Sequence, residues 1–431
     1  MFFLNTQEVQ SSSENVPGVQ QSPEGQEEYN IDIPQEDIIT KFWNCRILKH
    51  HKLVQEDLYV RNGIIIDSEQ LFYSEKRTPH FDVDCKGMIV APGLIDLQIN
   101  GGFGYDFSYY KDTELAVKTV SKKLLAHGVT SFCPTVVTSP YYIYHDILPK
   151  IKRQKGGRHG AAVLGVHAEG PFINKEKKGA HPEKFITDHK GTMLSIKEAY
   201  GAGYENICIL TLAPELRHSD QIIRKLKKDG IVVSLGHSMA NLSQSESAVK
   251  HGASFITHLF NAMLSFHHRD PGLIGLLTSD QVDLDKLFYG IISDGIHTHP
   301  CALRIAYKAH PNGLVLITDA LSALGLTDGR HKIGQMDIEI KGGIAFVAGT
   351  NTLCGSVTSL LECVKFFHKA SGCSMEFALE CASLHPAKVL HIEKNKGTLN
   401  VGADADFIIL NDYFDLISTW IGGDMVYKSG N

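Results

Sequence analysis

No stretch of the sequence reaches the roughly 18 consecutive apolar residues that a membrane-spanning helix requires, so a membrane partner is not expected. Met1-Phe-Phe-Leu is apolar but gives way at once to Asn5 and Thr6, too short for the apolar core of a secretory signal. The chain has no excess of positive charge: 42 Lys and Arg stand against 48 Asp and Glu, a formal net of -6, which argues against nucleic acid as a partner. It has no CxxC pair. Its nine cysteines (45, 85, 133, 208, 301, 354, 363, 373 and 381) are scattered along 431 residues, which excludes a small disulfide framework and suits reduced thiols in a cytoplasmic protein. Asn100-Gly-Gly-Phe-Gly lacks the spaced third glycine of a dinucleotide fingerprint. Ser238 has no Gly-x-Ser-x-Gly around it, and no histidine is placed to activate Cys133, Cys208 or Cys354, so serine and cysteine hydrolysis are both disfavoured.

What is present divides the chain in three. Residues 1–36 are rich in Ser, Gln, Glu, Gly and Pro and read as a disordered tail. Residues 37–92 hold short alternating runs such as Phe42-Trp-Asn-Cys-Arg-Ile-Leu, and residues 395–431 return to that style with Ala405-Asp-Phe-Ile-Ile-Leu and Asp424-Met-Val-Tyr. Both ends are therefore expected to build one small β-sandwich-like domain.

Between them, over 93–394, brief apolar runs alternate with amphipathic helical stretches, the rhythm of parallel βα units. Eight such runs are present, at 94–99, 129–133, 162–167, 207–212, 231–236, 254–258, 288–293 and 314–319. Eight close a (β/α)8 TIM barrel. Stretches 113–127, 216–229 and 302–309 carry helical spacing, and 338–347 reads as a hairpin on a Gly-Gly turn.

Barrels of this type build their sites at the carboxyl ends of strands, and here those ends are chemically loaded. They carry Gln98 and Asn100, His167 and Glu169, His237, His258, Asp294, and Asp319. A single histidine in such a place is more often structural than functional, and the chain has 22. The joint pattern says more. A hydrolytic metal ion takes about three protein ligands and an open position, a need that Glu169, His237 and His258 meet. Asp319 is then the carboxylate to take a proton from the attacking water and pass it to the leaving amine. His167, two residues before Glu169, is expected to support the site without ligating.

These segments, His167-Ala-Glu-Gly-Pro-Phe, Gly236-His-Ser, Thr257-His-Leu-Phe-Asn-Ala-Met, Arg269-Asp-Pro-Gly, Asp294-Gly-Ile-His, Thr318-Asp-Ala and Leu353-Cys-Gly-Ser, together resemble the N-acetylglucosamine-6-phosphate deacetylases of the amidohydrolase superfamily. The resemblance runs from about Phe42 to Phe407. It implies hydrolysis of N-acetylglucosamine 6-phosphate to glucosamine 6-phosphate and acetate. It places the metal ligands on Glu169, His237 and His258, with zinc as the expected ion, and the catalytic aspartate on Asp319. It further implies Ala180 as a sugar contact, His181 polarising the acetyl carbonyl, Asn261 and Ala262 binding substrate, Arg269 and His297 binding phosphate, and Leu353, Cys354 and Gly355 forming a lid. A homodimer is implied too, with Arg269 reaching the neighbouring site.

Two positions depart from common patterns. Gln98-Ile-Asn100 stands where many superfamily members carry His-x-His for a second metal, so one divalent ion per subunit is expected, amide oxygens being weak transition-metal ligands. Cys354 stands where Ser or Ala is usual. The competing readings are the same chemistry on another N-acyl amino-sugar phosphate or a cyclic amide, and a catalytically inactive binding or scaffold barrel.

Overall fold

The computed structural model describes residues 38–333, 336–350, 353 and 355–430; the 1–36 tail and Cys354 lie outside them. Eight strands form the barrel: β1 (Leu94–Ile99), β2 (Val129–Val137), β3 (Val166–Glu169), β4 (Ile207–Leu212), β5 (Val232–Leu235), β6 (Phe255–Ile256), β7 (Phe288–Ile292) and β8 (Leu314–Ile317). Every neighbouring pair from β1 to β8 is parallel. The ring closes between first and last, where Ile99 bridges Ala320, Asn100 N–H donates to the Ala320 carbonyl at 2.7 Å and Asp319 N–H to the Gln98 carbonyl at 2.8 Å.

Each of the eight expected runs coincides with a barrel strand, though the edges differ: β2 runs on to Val137 and β8 stops at Ile317. The run 162–167 is broken: Ala162–Val163 pairs on its own beside β2, because Gly165 turns at φ +136°, where an added Cβ would lie 2.8 Å from Cys208 Cβ. β5 and β6 stop before Gly236 and Thr257, since His237 and His258 bend the chain into positive φ.

The connecting helices follow from their sequences. Thr113–Leu124 starts on Asp112, whose side chain accepts from Leu115 N–H. Ser219–Lys228 buries Ile222, Ile223 and Leu226 and ends on Lys225, Lys227 and Lys228, cations at the negative end of the helix dipole. Pro300–Ala309 takes Pro at its first position. The hairpin of Met336–Lys341 and Ile344–Val347 turns on Gly342 and Gly343, both at positive φ, the conformation a two-residue turn needs. Among the described residues, no helix is long and apolar enough to cross a membrane.

The two chain ends meet in a six-stranded sheet ordered Asp424–Lys428, Leu416–Ile421, Phe407–Leu410, Ile89–Pro92, Arg46–Lys49, Lys52–Gln55. Its alternating residues serve two cores. Ile47, Val90, Phe407 and Ile409 face Phe42, Leu58, Val60 and Ile65 of a second, four-stranded sheet, where the Phe42 ring stands edge-on to Phe407 and Trp420 at 5.0 and 4.9 Å. Leu48, Ile89, Ala91, Ile408 and Leu410 join the barrel's outer core instead. The strand-rich terminal domain is thus a sandwich whose larger sheet also packs on the barrel.

Inside the barrel the chemistry changes with height. The floor is apolar, from Ile95, Leu97, Ile209, Val232, Phe255, Phe288, Val315 and Ile317. Above it lies a buried polar belt. His167 Nδ1 lies 2.9 Å from the Leu97 carbonyl and must donate to it, so Nε2 accepts from Thr211 Oγ1 at 2.7 Å. Thr211 Oγ1 in turn lies 2.7 Å from Thr257 Oγ1, which lies 2.5 Å from Ser234 Oγ. The order of donors is thereby fixed from Ser234 through to Leu97, across β5, β6, β4, β3 and β1. His167 spends both ring nitrogens within this belt.

Candidate metal centre and catalytic carboxylate

Glu169 closes β3, and His237, His258 and Asp319 each lie two residues beyond the ends of β5, β6 and β8. Glu169, His237 and His258 are buried and Asp319 is half-buried. His237, His258 and Asp319 adopt φ of +49°, +27° and +48°, a region in which a non-glycine residue costs about 1–3 kcal/mol and persists only where its surroundings over-determine it. The bends turn three side chains into one space. Glu169 Oε1 lies 3.1 Å from both His237 Nε2 and His258 Nε2, and the two nitrogens are 3.1 Å apart. His237 Nδ1 donates to the Lys177 carbonyl at 2.8 Å, so its Nε2 presents a lone pair to the others.

Ligand atoms about 2 Å from one tetrahedral ion stand roughly 3.0–3.5 Å from each other, so this triangle suits a shared divalent cation. Burial alone would raise the Glu169 carboxyl, yet the adjoining His237 and His258 rings hold it well below the usual carboxylate range. A second grouping also qualifies, for Glu169, His181 and His237 offer ligand atoms within 4.8 Å of one another. The tautomer separates the two histidines. Thr138 N–H donates to His181 Nδ1 at 3.3 Å, with Thr138 Oγ1 at 2.7 Å from the same atom. A nitrogen that accepts carries no proton, so the hydrogen of His181 sits on Nε2, 3.8 Å from Glu169 Oε2. Burial, together with His237, pushes His181 down to about 3, which makes it a neutral N–H donor. His258 has the tighter approach to Glu169 and the better claim as third ligand.

Asp319 stands beside this centre under the amides of β1. Its Oδ1 accepts from Asn100 Nδ2 at 2.7 Å and Gln98 Nε2 at 3.3 Å, and Gln98 Nε2 also lies 2.9 Å from Glu169 Oε1. Burial, with the Glu169 charge next to it, lifts Asp319 to about 6. Gln98 Oε1 and Asn100 Oδ1 are buried without a hydrogen-bond partner, so the pocket wall keeps two acceptors for an incoming group. Gly355 packs against Asp319: an added Cβ would lie 2.4 Å from the Asp319 carbonyl oxygen.

The other expected residues surround this core at differing depths. His297 Nδ1 donates to Asp294 Oδ2 at 2.6 Å, while Asp294 Oδ1 accepts the Ile296 and His297 N–H groups. Asn261 N–H donates to the His258 carbonyl at 2.9 Å, and Ala262 follows at φ +49°. Ala180 and Leu353 are exposed, and Leu353 pairs with Phe346. Arg269 is not drawn into the centre. It is exposed, and its Nη1 lies 3.4 Å from His268 Nε2. Asp270 does not pair with it, since that carboxylate accepts from the Leu242 and Gly272 N–H groups. Thr138, which orients His181, escapes a reading of the sequence; its only signal is its place just past β2.

Residues 89–426 match the model of the amidohydrolase family. An N-acetylglucosamine-6-phosphate deacetylase of Danio rerio is 56% identical over 393 residues, covering 90% of this chain and 97% of that protein. The one from Homo sapiens is 54% identical, covering 91% and 96%. Among solved structures, N-acetylglucosamine-6-phosphate deacetylase from Thermotoga maritima superposes with a TM-score of 0.76 at 29% identity, covering 90% of this chain and all of that one. A variant of the Mycobacterium smegmatis enzyme in complex with N-acetyl-D-glucosamine-6-phosphate superposes at 0.78 and 26% identity, covering 90% and 99%. By sequence, fold and the composition of its site, the chain belongs to the amidohydrolase family, in its N-acetylglucosamine-6-phosphate deacetylase branch.

Proposed function

We propose that this chain hydrolyses N-acetylglucosamine 6-phosphate to glucosamine 6-phosphate and acetate, with one zinc ion per subunit held by Glu169, His237 and His258. The observation that carries the reading is the 3.1 Å triangle of ligand atoms beside an amide-held carboxylate. When bound, a divalent ion supplies Lewis acidity, lowering the pKa of a water and drawing electron density from a carbonyl oxygen. The protein's own groups do the rest. Asp319 takes the proton of the attacking water, Asn100 and Gln98 keep its carboxylate in place, and the same proton goes to the departing amine nitrogen as the C–N bond breaks. His181 offers its Nε2–H to the acetyl oxygen as negative charge gathers there. A ligand set and a base that are both intact weigh against an inactive scaffold.

The sugar phosphate is assigned to Arg269 and His297, with Asn261, Ala262, Ala180 and the 353–355 segment, including Cys354, around the sugar. A guanidinium grips two phosphate oxygens and an imidazole adds a third donor. Arg269 sits on an exposed loop with Phe266, itself 63% exposed, and this fits an arginine that serves the neighbouring site of a homodimer. Thiols left free at every described cysteine accord with the cytoplasm. We divide the chain into a barrel at 93–394 and a small domain from 37–92 and 395–431, with no catalytic role for 1–36.

Acetate release tests the proposal, measured with phosphorylated and unphosphorylated sugar before and after chelation. The phosphorylated sugar should be strongly preferred and chelation should abolish turnover. Equal turnover of the two sugars would reject the phosphate clamp; activity that survives complete metal removal would reject the ion.

A further inference from the structure

Glu215 lies three residues beyond β4 and takes no part in the chemistry above. Its half-buried carboxylate gathers donors from two other loops. Oε1 accepts from Asn174 Nδ2 at 2.9 Å and Met239 N–H at 2.6 Å, and Oε2 accepts from Ser238 Oγ at 2.6 Å. Asn174 opens the segment that carries Lys177 and His181. Its N–H donates to the His237 carbonyl at 2.9 Å, and its Oδ1 accepts from Glu176 N–H to cap the short helix Lys175–Lys177. The Lys177 carbonyl in turn accepts from His237 Nδ1. A closed circuit results, from Glu215 to Asn174, along the chain to Lys177, across to the His237 ring, and back through Ser238.

The circuit surrounds a residue that cannot hold itself. His237 sits at φ +49°, and a β-carbon-bearing residue stays there only under external restraint. Bonds to an ionised carboxylate are the strong kind, and here they fix the two residues immediately after His237. We propose that Glu215 is a positioning residue for the ion-binding set: it locks His237 in its left-handed conformation and docks the 174–181 segment so that Lys177 fixes the ring's tautomer and His181 faces the site. This inference rests on the ion-dependent reading given above.

Two variants of the full chain test it. Glu215→Gln keeps the shape and removes the charge. Asn174→Asp keeps the helix-capping oxygen and turns the donor facing Glu215 into a second carboxylate. Zinc affinity is read by competition with a chelator of known strength, alongside kcat, KM and the melting temperature of the metal-free protein. Both variants should lower zinc affinity about 10- to 100-fold, the usual cost of disturbing a group that orients a ligand. Melting of the metal-free protein should move by no more than about 2 °C, and the double variant should be little worse than the poorer single one, because both break one circuit. Zinc affinity within about twofold of the wild type in both variants, or a loss matched by a large fall in metal-free melting, would overturn the assignment. Wild-type protein that binds no zinc would sink the ion-dependent reading, and this role with it.

Discussion

Replacing Asp319 by Asn isolates the proposed proton carrier from everything around it. The exchange is nearly silent in structure. An Asn side chain in the same pose keeps Oδ1, the atom that accepts from Asn100 Nδ2 at 2.7 Å and Gln98 Nε2 at 3.3 Å, and Asn is among the residues that best tolerate the left-handed backbone found here at φ +48°. Asp319 is not among the three proposed ligands, so the metal content should stay that of the wild type. What vanishes is the basic oxygen. Positioned acid–base groups contribute about 10²–10⁴ in rate, and each factor of ten is about 1.4 kcal/mol, so kcat/KM should fall by roughly 3–5 kcal/mol of transition-state stabilisation. Acetate release at neutral pH, run beside elemental analysis of the same sample, supplies both readings. Turnover within about tenfold of the wild type would remove Asp319 from the proton path, and a variant that lost its zinc would reassign the residue to ion binding.

Three further outcomes follow from the same geometry. Asp96 accepts from Thr318 Oγ1 at 2.6 Å and from the Gln98 N–H, yet burial still lifts it to about 7. With its folded pKa above its unfolded one, its ionisation weighs against folding as pH climbs from about 4 to 7, by about 4 kcal/mol at most. Asp96→Asn should therefore flatten the stability profile of the metal-free protein over that window in urea titrations, and an unchanged slope would discount the buried carboxyl. Gly355→Ala should cut kcat/KM at least about tenfold and cost about 1–3 kcal/mol of stability, because its Cβ must displace the Asp319 backbone; kinetics and melting curves check it, and normal values for both would contradict the packing. Arg269→Ala should raise KM for the phosphorylated sugar about 10- to 100-fold, the worth of a charge-assisted bond, and spare the unphosphorylated one. Mixed dimers of Arg269→Ala with Asp319→Asn should show a kcat/KM for the phosphorylated sugar above that of either parent, since one site then owns both groups; no gain would confine Arg269 to its own subunit.

The barrel was legible because eight apolar runs alternate with helical stretches, and the loaded strand ends pointed to Glu169, His237, His258 and Asp319. Strand ends were less so. Gly236 and Thr257 looked like continuations of β5 and β6, because the bends at His237 and His258 are imposed by tertiary contacts and leave no mark in local propensity. Asp96 was hidden in an apolar run. Thr138 and Glu215 are ordinary loop residues whose importance arises only when loops far apart in sequence face each other. His258 was offered as a ligand by the strand-end pattern and His181 as a donor by resemblance, but choosing between them for the third ligand position needed the Thr138 contact. Arg269 was offered for phosphate by resemblance alone, and in the single chain it lies exposed beside His268.

The join between β1 and β8 has a temporal meaning. Asn100 and Asp319, which touch, are 219 positions apart, and the backbone bonds that bring them together are those that complete the ring. A ribosome must therefore emit the chain through residue 319 before the proposed proton carrier can meet its amide partners. Fragments ending short of residue 319 should be chemically inert however well their earlier strands pair, and the onset of catalysis should mark the moment at which the first strand of the ring finds the last.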